Sequence, residues 1–85
     1  MTYSLASHIM ITETEHGMVL LDENNGRYWQ MNGTGATVLR RILEEGNAES
    51  VITDLRERHP AAAERIEADV TALVTALLNA RVLSS

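Results

Sequence analysis

Residues 17–35, GMVLLDENNGRYWQMNGTG, combine two apolar runs, a turn sequence between them and the start of a helix behind them. The first run, MVLL, occupies 18–21 and the second, YWQM, occupies 28–31. The residues between them, DENNG at 22–26, tolerate the left-handed backbone angles that tight turns require. The segment therefore predicts a β-hairpin that leads directly into a helix.

The adjacent aromatic residues Tyr28 and Trp29 must point to opposite faces of the predicted strand, because side chains alternate along extended backbone. One of them can join the core, and the other must face away from it. The sequence leaves open which residue takes which face. An exposed aromatic side chain on the last strand before the helices makes this strand a candidate functional element.

A further strand is predicted before the hairpin, because residues 8–14, HIMITET, alternate in character and are rich in Ile and Thr. Residues 1–7 are expected to form a loosely held lead-in. The three strands are then expected at about 8–14, 18–22 and 27–31. Short turns require them to be antiparallel neighbours in chain order, so the third strand is an edge. Only Arg27 and Gln30 deter unwanted pairing there, which favours pairing with a chosen partner strand.

Three helices are predicted after the sheet, at about 33–45, 48–59 and 61–80. Asn32 is the expected N-cap of the first helix, and Gly46 is expected to end it. Asn47 is the expected cap of the second helix. Pro60 stops that helix and suits the first turn of the third.

The third helix is predicted to have a core face and, beside it, a stripe of small side chains. At about 100° per residue, the core face comprises Ile66, Val70, Leu73, Val74 and Leu77. The neighbouring stripe comprises Asp69, Ala72, Ala76 and Ala80. Small side chains let another backbone approach closely. We therefore predict a shallow groove where this stripe passes the third strand.

The composition describes one acidic domain spanning 1–85, with 45% hydrophobic residues and a formal net charge of −5. An acidic chain without Lys repels phosphate backbones, so nucleic acid is not an expected partner. The absence of Cys excludes disulfides and sulfur-ligated metals. No apolar run approaches the roughly 18 residues of a membrane helix, and we expect a cytoplasmic protein with no membrane partner.

Three features resemble catalytic or cofactor sites, and each fits a simpler role. Residues 33–35, GTG, lie between a strand and a helix but lack the third glycine of a dinucleotide-binding loop, so they indicate a capped helix start. The three histidines lack metal-ligand spacing. The adjacent carboxylates at 22–23 and 44–45 are expected to be solvated charges. We therefore predict no cofactor, no metal site, no catalytic residues and no enzymatic activity.

The run at 26–32, GRYWQMN, followed by Gly35 and Ala36, resembles the signature of the PqqD-like family. Members of this family are leader-peptide recognition elements for ribosomally made, modified peptides. The similarity extends over nearly the whole chain, since the length and the helices that follow also agree. The short chain is similar to the discrete leader-binding protein of split lasso-peptide systems, which acts beside a separate cysteine protease. Met31 stands where the family commonly carries Leu, a volume-conserving exchange.

The resemblance implies an α+β, winged-helix-like fold in which a three-stranded antiparallel sheet is followed by three helices. It also implies that a precursor leader peptide binds as an added strand on the third strand, against the third helix. The implied further partners are a separate, transglutaminase-like cysteine leader peptidase and a lasso cyclase. Arg27 is expected to pair with a leader carboxylate or with Asp69. The predicted leader-binding residues are Arg27, Tyr28, Trp29, Gln30, Asp69, Leu73 and Ala76.

Two other functions are compatible with a small α+β domain. A winged-helix transcription regulator would need a basic third helix, yet that helix offers two arginines against Glu64, Glu67 and Asp69. A small enzyme would need a nucleophile or metal constellation that the sequence does not display. The leader-binding hypothesis requires that the outer edge of the third strand remain unpaired within the chain. The leader sequence, the final product and the oligomeric state do not follow from the sequence.

Overall fold

The chain forms two antiparallel sheets and three α-helices, and the computed structural model describes residues 2–85. The strands are β1 (Ser4–Leu5), β2 (Ile9–Thr14), β3 (Gly17–Asp22), β4 (Arg27–Asn32) and β5 (Leu83–Ser84). The helices are α1 (Gly33–Glu45), α2 (Glu49–Arg58) and α3 (Ala63–Asn79), with a 3-10 turn at Pro60–Ala62 before α3. The larger sheet has the order β2-β3-β4. This confirms the predicted α+β fold, for which winged-helix-like is a loose description.

The hairpin between β3 and β4 is closed by the side chain of Asp22. Its carboxylate accepts hydrogen bonds from the backbone N–H groups of Asn24, at 3.0 Å, and Asn25, at 3.1 Å, and from Asn25 Nδ2 at 2.9 Å. Asp22 is fully buried, so the expectation of a solvated charge at this position is wrong. The Asn25 side-chain hydrogen bond is the main reason why the pKa of Asp22 lies below its ordinary value.

Asparagine side chains accept hydrogen bonds at the starts of α1 and α2, and a glycine ends α1. Asn32 caps α1, because its Oδ1 accepts from the N–H of Gly35 at 2.8 Å. The helix ends at Gly46, whose φ of 77° is the left-handed conformation that glycine adopts readily. The N-cap residue of α2 is Ala48 and not the predicted Asn47, although Asn47 Oδ1 accepts from the N–H of Ser50 at 2.9 Å.

The core consists of two apolar clusters that meet at α3. The first lies under the sheet and comprises the buried residues Ile9, Met18, Leu20, Ala36, Leu39, Leu77, Val82 and Leu83. The second lies among the helices and comprises Val38, Ile42, Val51, Val70 and Val74. Leu73 and Leu78 pack against both clusters. Helix α1 lies against β3 and β4, whereas α3 makes its main contacts with α2 and β5.

The two chain ends form a small sheet that was not expected from the sequence. Strand β1 pairs antiparallel with β5, so that Leu5 lies opposite Leu83. The predicted loose lead-in is therefore wrong for residues 2–7, and Met1 lies outside the described residues. Arg81, at a φ of 62°, reverses the chain after α3 and brings Val82 and Leu83 into the core. Within residues 2–85 the terminal strands pair with each other, and the outer edge of β4 has no strand partner.

Candidate functional site

Strand β4 presents one row of side chains to the helices and another row to the opposite face of the sheet. Trp29 lies opposite Leu20, and Met31 lies opposite Met18, so both point toward the core. Tyr28 and Gln30 alternate with them and point away. Trp29 is half-buried against the core, whereas the side chain of Tyr28 is 68% exposed. The tertiary structure thus assigns the two aromatic residues to the faces that the sequence left open.

A groove of about 310 Å³ lies between β4 and α3. It is lined by Trp29, Gln30, Met31, Asn32, Gly35, Leu73, Ala76 and Leu77. Its walls are mainly apolar, since Trp29 and Met31 face Leu73 and Leu77 across it. The groove lies beside residues 29–32 of β4, whose outer edge is unpaired. It can therefore receive apolar side chains from a segment that pairs with this edge.

Two small residues keep the groove open. Ala76 is exposed on the side of α3 that faces β4, and Gly35 lies in the first turn of α1. A Cβ atom built on Gly35 would lie 3.4 Å from Asn32 Oδ1 and 3.5 Å from Met31 Cε. A longer side chain at either position would therefore occupy space at the groove wall. The cap of α1 determines this arrangement, because Asn32 Oδ1 binds the N–H of Gly35 and holds the helix start beside the strand end.

The structure brings four of the seven predicted site residues together around the groove: Trp29, Gln30, Leu73 and Ala76. Tyr28 lies on the opposite face of the sheet. Asp69 is exposed one helical turn before Leu73 and does not line the groove. The predicted small-residue stripe is only partly open, because Ala80 packs against the core.

Arg27 occupies the start of β4, beyond the groove. Its guanidinium carbon lies 5.3 Å from the centroid of the Trp29 ring, a cation–π arrangement. Its Nη2 lies 3.7 Å from Asp22 Oδ2. Within residues 2–85 the ion-pair partner of Arg27 is Asp22, so the suggested alternative pairing with Asp69 is not formed. The Arg27 side chain remains 56% exposed and accessible to a further carboxylate.

Four lining residues were absent from the predicted set: Met31, Asn32, Gly35 and Leu77. Simple periodicity could have identified two of them. Met31 follows Trp29 by two residues and therefore shares its face, and Leu77 follows Leu73 by one helical turn. Gly35 contributes by lacking a side chain, for which the sequence pattern offers no signal.

Most of the arginines are engaged within the chain and do not form a basic surface. Five of the seven pair with carboxylates, in the pairs Arg27–Asp22, Arg40–Glu13, Arg41–Asp54, Arg56–Glu67 and Arg58–Asp54. Arg41 Nη1 lies 2.6 Å from Asp54 Oδ2, and this hydrogen bond lowers the pKa of Asp54 below its ordinary value. The exposed start of α3 carries Glu64, Arg65 and Glu67. This distribution disfavours the DNA-binding alternative, which needs a basic recognition helix.

Neither a metal cluster nor a membrane-spanning segment is found in the part of the chain that the structure describes. Over residues 2–85, no group of three or more His, Cys, Asp or Glu side chains is placed to hold a metal ion. No helix over the same residues is both long and apolar enough to cross a bilayer.

Comparison with known proteins supports the resemblance seen in the sequence. The family model for coenzyme PQQ synthesis protein D (PqqD) matches residues 17–83. A solved structure described as lasso peptide synthetase B1 complexed with the leader peptide is 32% identical, with a TM-score of 0.86 over 100% of both chains. TbiB1 in complex with the TbiA(beta) leader peptide has a TM-score of 0.82 at 17% identity, over 96% of this chain and 95% of that one. No curated protein is significantly similar in sequence. The chain therefore belongs to the PqqD family, as its GRYWQMN signature predicted.

Proposed function

We propose that this protein is a non-catalytic recognition module that binds the leader peptide of a ribosomally made precursor, in the lasso-peptide class. In this proposal the leader adds as a β-strand to the outer edge of β4 and packs against α3. The observation that carries the proposal is the unpaired edge of β4 beside an apolar groove. The structural neighbour at 32% identity, a lasso peptide synthetase B1 complexed with a leader peptide, supports the class of ligand.

Two kinds of interaction, backbone hydrogen bonds and apolar contacts, would contribute unequally to leader binding. Backbone hydrogen bonds to the β4 edge are indifferent to the leader sequence and contribute about 0.5–1.5 kcal/mol each, net. A few such bonds do little more than offset the ordering of a flexible peptide. Apolar side chains of the leader that enter the groove would contribute about 25 cal/mol for each Å² removed from water. The groove between Trp29 and Leu73 would therefore provide most of the affinity and the selectivity.

Alternation along the guest strand assigns roles to the predicted residues. Every second side chain of the bound leader would enter the groove and contact Trp29, Leu73 and Ala76. The side chains between them would lie beside Tyr28 and Gln30 on the outer face of the sheet. The remaining two predicted residues would act at the groove ends. The exposed guanidinium of Arg27 can pair with a leader carboxylate, and Asp69 offers an acceptor one helical turn before Leu73.

The protein would present the bound precursor to other enzymes. We propose that its partners are a separate, transglutaminase-like cysteine leader peptidase and a lasso cyclase that acts on the released core segment. A ribosomally made precursor is first available in the cytoplasm, and we place this protein there. The bonds are broken and formed by the partner enzymes, so the recognition module itself needs no cofactor.

Binding and strand addition can be tested separately. Isothermal titration with the synthetic leader of the precursor encoded beside this gene should give a dissociation constant in the nanomolar to micromolar range. Amide hydrogen exchange, followed by NMR, should then show new protection in β4 at the alternate N–H groups that point away from β3. Absence of binding would refute the proposed function. Binding without added protection in β4 would refute strand addition at this edge.

A further inference from the structure

A buried carboxylate, a guanidinium and the tryptophan of the groove lie in a row on the helix-facing side of β3 and β4. Asp22 lies directly opposite Arg27 in the strand register, and Leu20 lies opposite Trp29, so the four side chains share one face. Arg27 Nη2 lies 3.7 Å from Asp22 Oδ2. The guanidinium carbon of Arg27 lies 5.3 Å from the centroid of the Trp29 ring. The guanidinium therefore contacts the carboxylate and the indole at the same time.

Asp22 is the fixed end of this row. Its side chain is buried, and its two carboxylate oxygens accept hydrogen bonds from the N–H groups of Asn24 and Asn25 and from Asn25 Nδ2. These bonds lie within the turn, so the position of the carboxylate does not depend on Arg27. A buried carboxylate attracts a neighbouring cation more strongly than an exposed one, because less water screens the interaction. The largely exposed guanidinium of Arg27 is thus held by an anchor that cannot turn away.

Trp29 is packed on one side and open on the other. Its ring is half-buried against the core cluster under the sheet, and it also lines the groove of about 310 Å³ between β4 and α3. The ring therefore has room to turn into the space that leader side chains are proposed to fill. Arg27 does not line the groove, so its guanidinium can hold the ring without occupying that space.

We propose that Arg27, anchored by Asp22, is a positioning residue that holds the Trp29 ring in the orientation that receives the leader. The inference rests on the proposed function, and it gives Arg27 a role that requires no carboxylate in the leader. Ordering one large side chain during binding weakens affinity by about twofold to tenfold, and a ring that is ordered beforehand avoids this loss. The cation–π contact also becomes stronger when the bound leader displaces water from the guanidinium.

The test follows Trp29 by NMR, because it is the only tryptophan in the sequence and gives a single indole N–H signal. In the free protein, Arg27→Gln should lower the heteronuclear ¹H–¹⁵N NOE of this indole, since the ring gains motion on the picosecond to nanosecond timescale. Isothermal titration with the synthetic leader should show binding about threefold to tenfold weaker than that of the wild type. Arg65→Gln removes the same charge from an exposed position of α3 and is the matched control, so both measurements should match the wild type.

A leader in which every Asp and Glu is replaced by Asn or Gln separates positioning from direct pairing. Arg27→Gln should weaken the binding of this acid-free leader by the same factor as that of the natural leader. A defect with the natural leader alone would overturn the proposal, because Arg27 would then act by pairing with a leader carboxylate. An unchanged indole NOE in folded Arg27→Gln would also overturn it.

A second variant covers the case in which Arg27→Gln alone fails to fold, since removal of its partner leaves a buried carboxylate uncompensated. The double variant Asp22→Asn/Arg27→Gln removes both charges together, and circular dichroism verifies its fold. It should show the same lowered indole NOE and the same loss of leader affinity, and a rigid indole in this variant would overturn the proposal. Failure of the wild type to bind leader would instead refute the proposed function. The NMR comparison of the free proteins would still decide whether Arg27 orders Trp29.

Discussion

Replacement of Ala76 by arginine should weaken leader binding strongly without unfolding the protein. Ala76 is exposed on α3 and lines the groove opposite β4. An arginine side chain at position 76 extends into the groove of about 310 Å³, which side chains of the bound leader are proposed to fill. The substitution adds no buried volume to the core, and arginine is a good helix former, so the free energy of unfolding should change by only a few tenths of a kcal/mol.

The size of the binding defect follows from the apolar surface that the arginine displaces. Full burial of one aliphatic or aromatic side chain contributes about 1.5–3 kcal/mol. Loss of one such anchor weakens binding by about 10-fold to about 150-fold, at about 1.4 kcal/mol for each factor of ten. Backbone pairing along β4 would persist in part. We therefore expect a measurable residual affinity and not complete loss.

Isothermal titration with the synthetic leader measures this defect, and Thr75→Arg is the matched control. Thr75 is the preceding residue, exposed but outside the groove lining, so the control carries the same charge on the same helix. Its affinity should stay within about twofold of the wild type. An unchanged affinity for Ala76→Arg would place the site elsewhere. An equal loss in both variants would show that charge, and not occupation of the groove, causes the effect.

Three further predictions concern the fold that positions this site. Hydrogen bonds hold the pKa of Asp22 below its ordinary value of 3.8, so its carboxylate stabilises the fold at neutral pH, and this contribution disappears as the pH falls through the lowered pKa. The Asp22→Asn variant should therefore melt at a lower temperature than the wild type at pH 7. Between about pH 5 and pH 2 its melting temperature should fall less than that of the wild type, and an equal fall in both proteins would contradict this. Gly17→Ala should destabilise by about 2 kcal/mol or more in urea titrations, since its Cβ would lie 1.9 Å from Met31 O. In the control Gly33→Ala, the added Cβ would lie 3.8 Å from His16 O, an ordinary contact, so this variant should not be destabilised. Equal stability of the two variants would show that the predicted clash at Gly17 does not occur. Arg81→Gly should stabilise by about 1 kcal/mol by relieving a left-handed backbone, and thermal melting at an unchanged or lower temperature would count against that strain.

Features that depend on near neighbours in the chain were predictable from the sequence. The turn at 22–26, the alternation at 28–31 and the Asn32 cap depend on residues within about four positions of one another. The antiparallel strand order followed from the shortness of the connections. The groove was predictable in outline, because the third strand had to be an edge and Ala76 and Leu73 had to share a side of the last helix.

Features that depend on how the strands pair and pack were not predictable. The pairing of β1 with β5 joins the two ends of the chain, and neither two-residue strand has a recognisable pattern of its own. The burial of Asp22 depends on the strands on either side of it, since Ile9 of β2 and Arg27 of β4 flank it in the sheet. Asn24 and Asn25 then satisfy its carboxylate. The ion pair of Arg27 with Asp22 follows from the hairpin register, which places these two residues opposite each other.

The sequence by itself determined the sheet, the helices and the strand whose edge remains free, because these follow from periodicity, capping and turn chemistry. Only the tertiary structure decided that Trp29 faces the groove while Tyr28 is exposed on the opposite face of the sheet. The physical reason is that alternation along a strand places two adjacent side chains on opposite faces of the sheet but does not determine which of the two faces the core. The choice depends on which side of the sheet α1 covers, and that is a property of the packed chain.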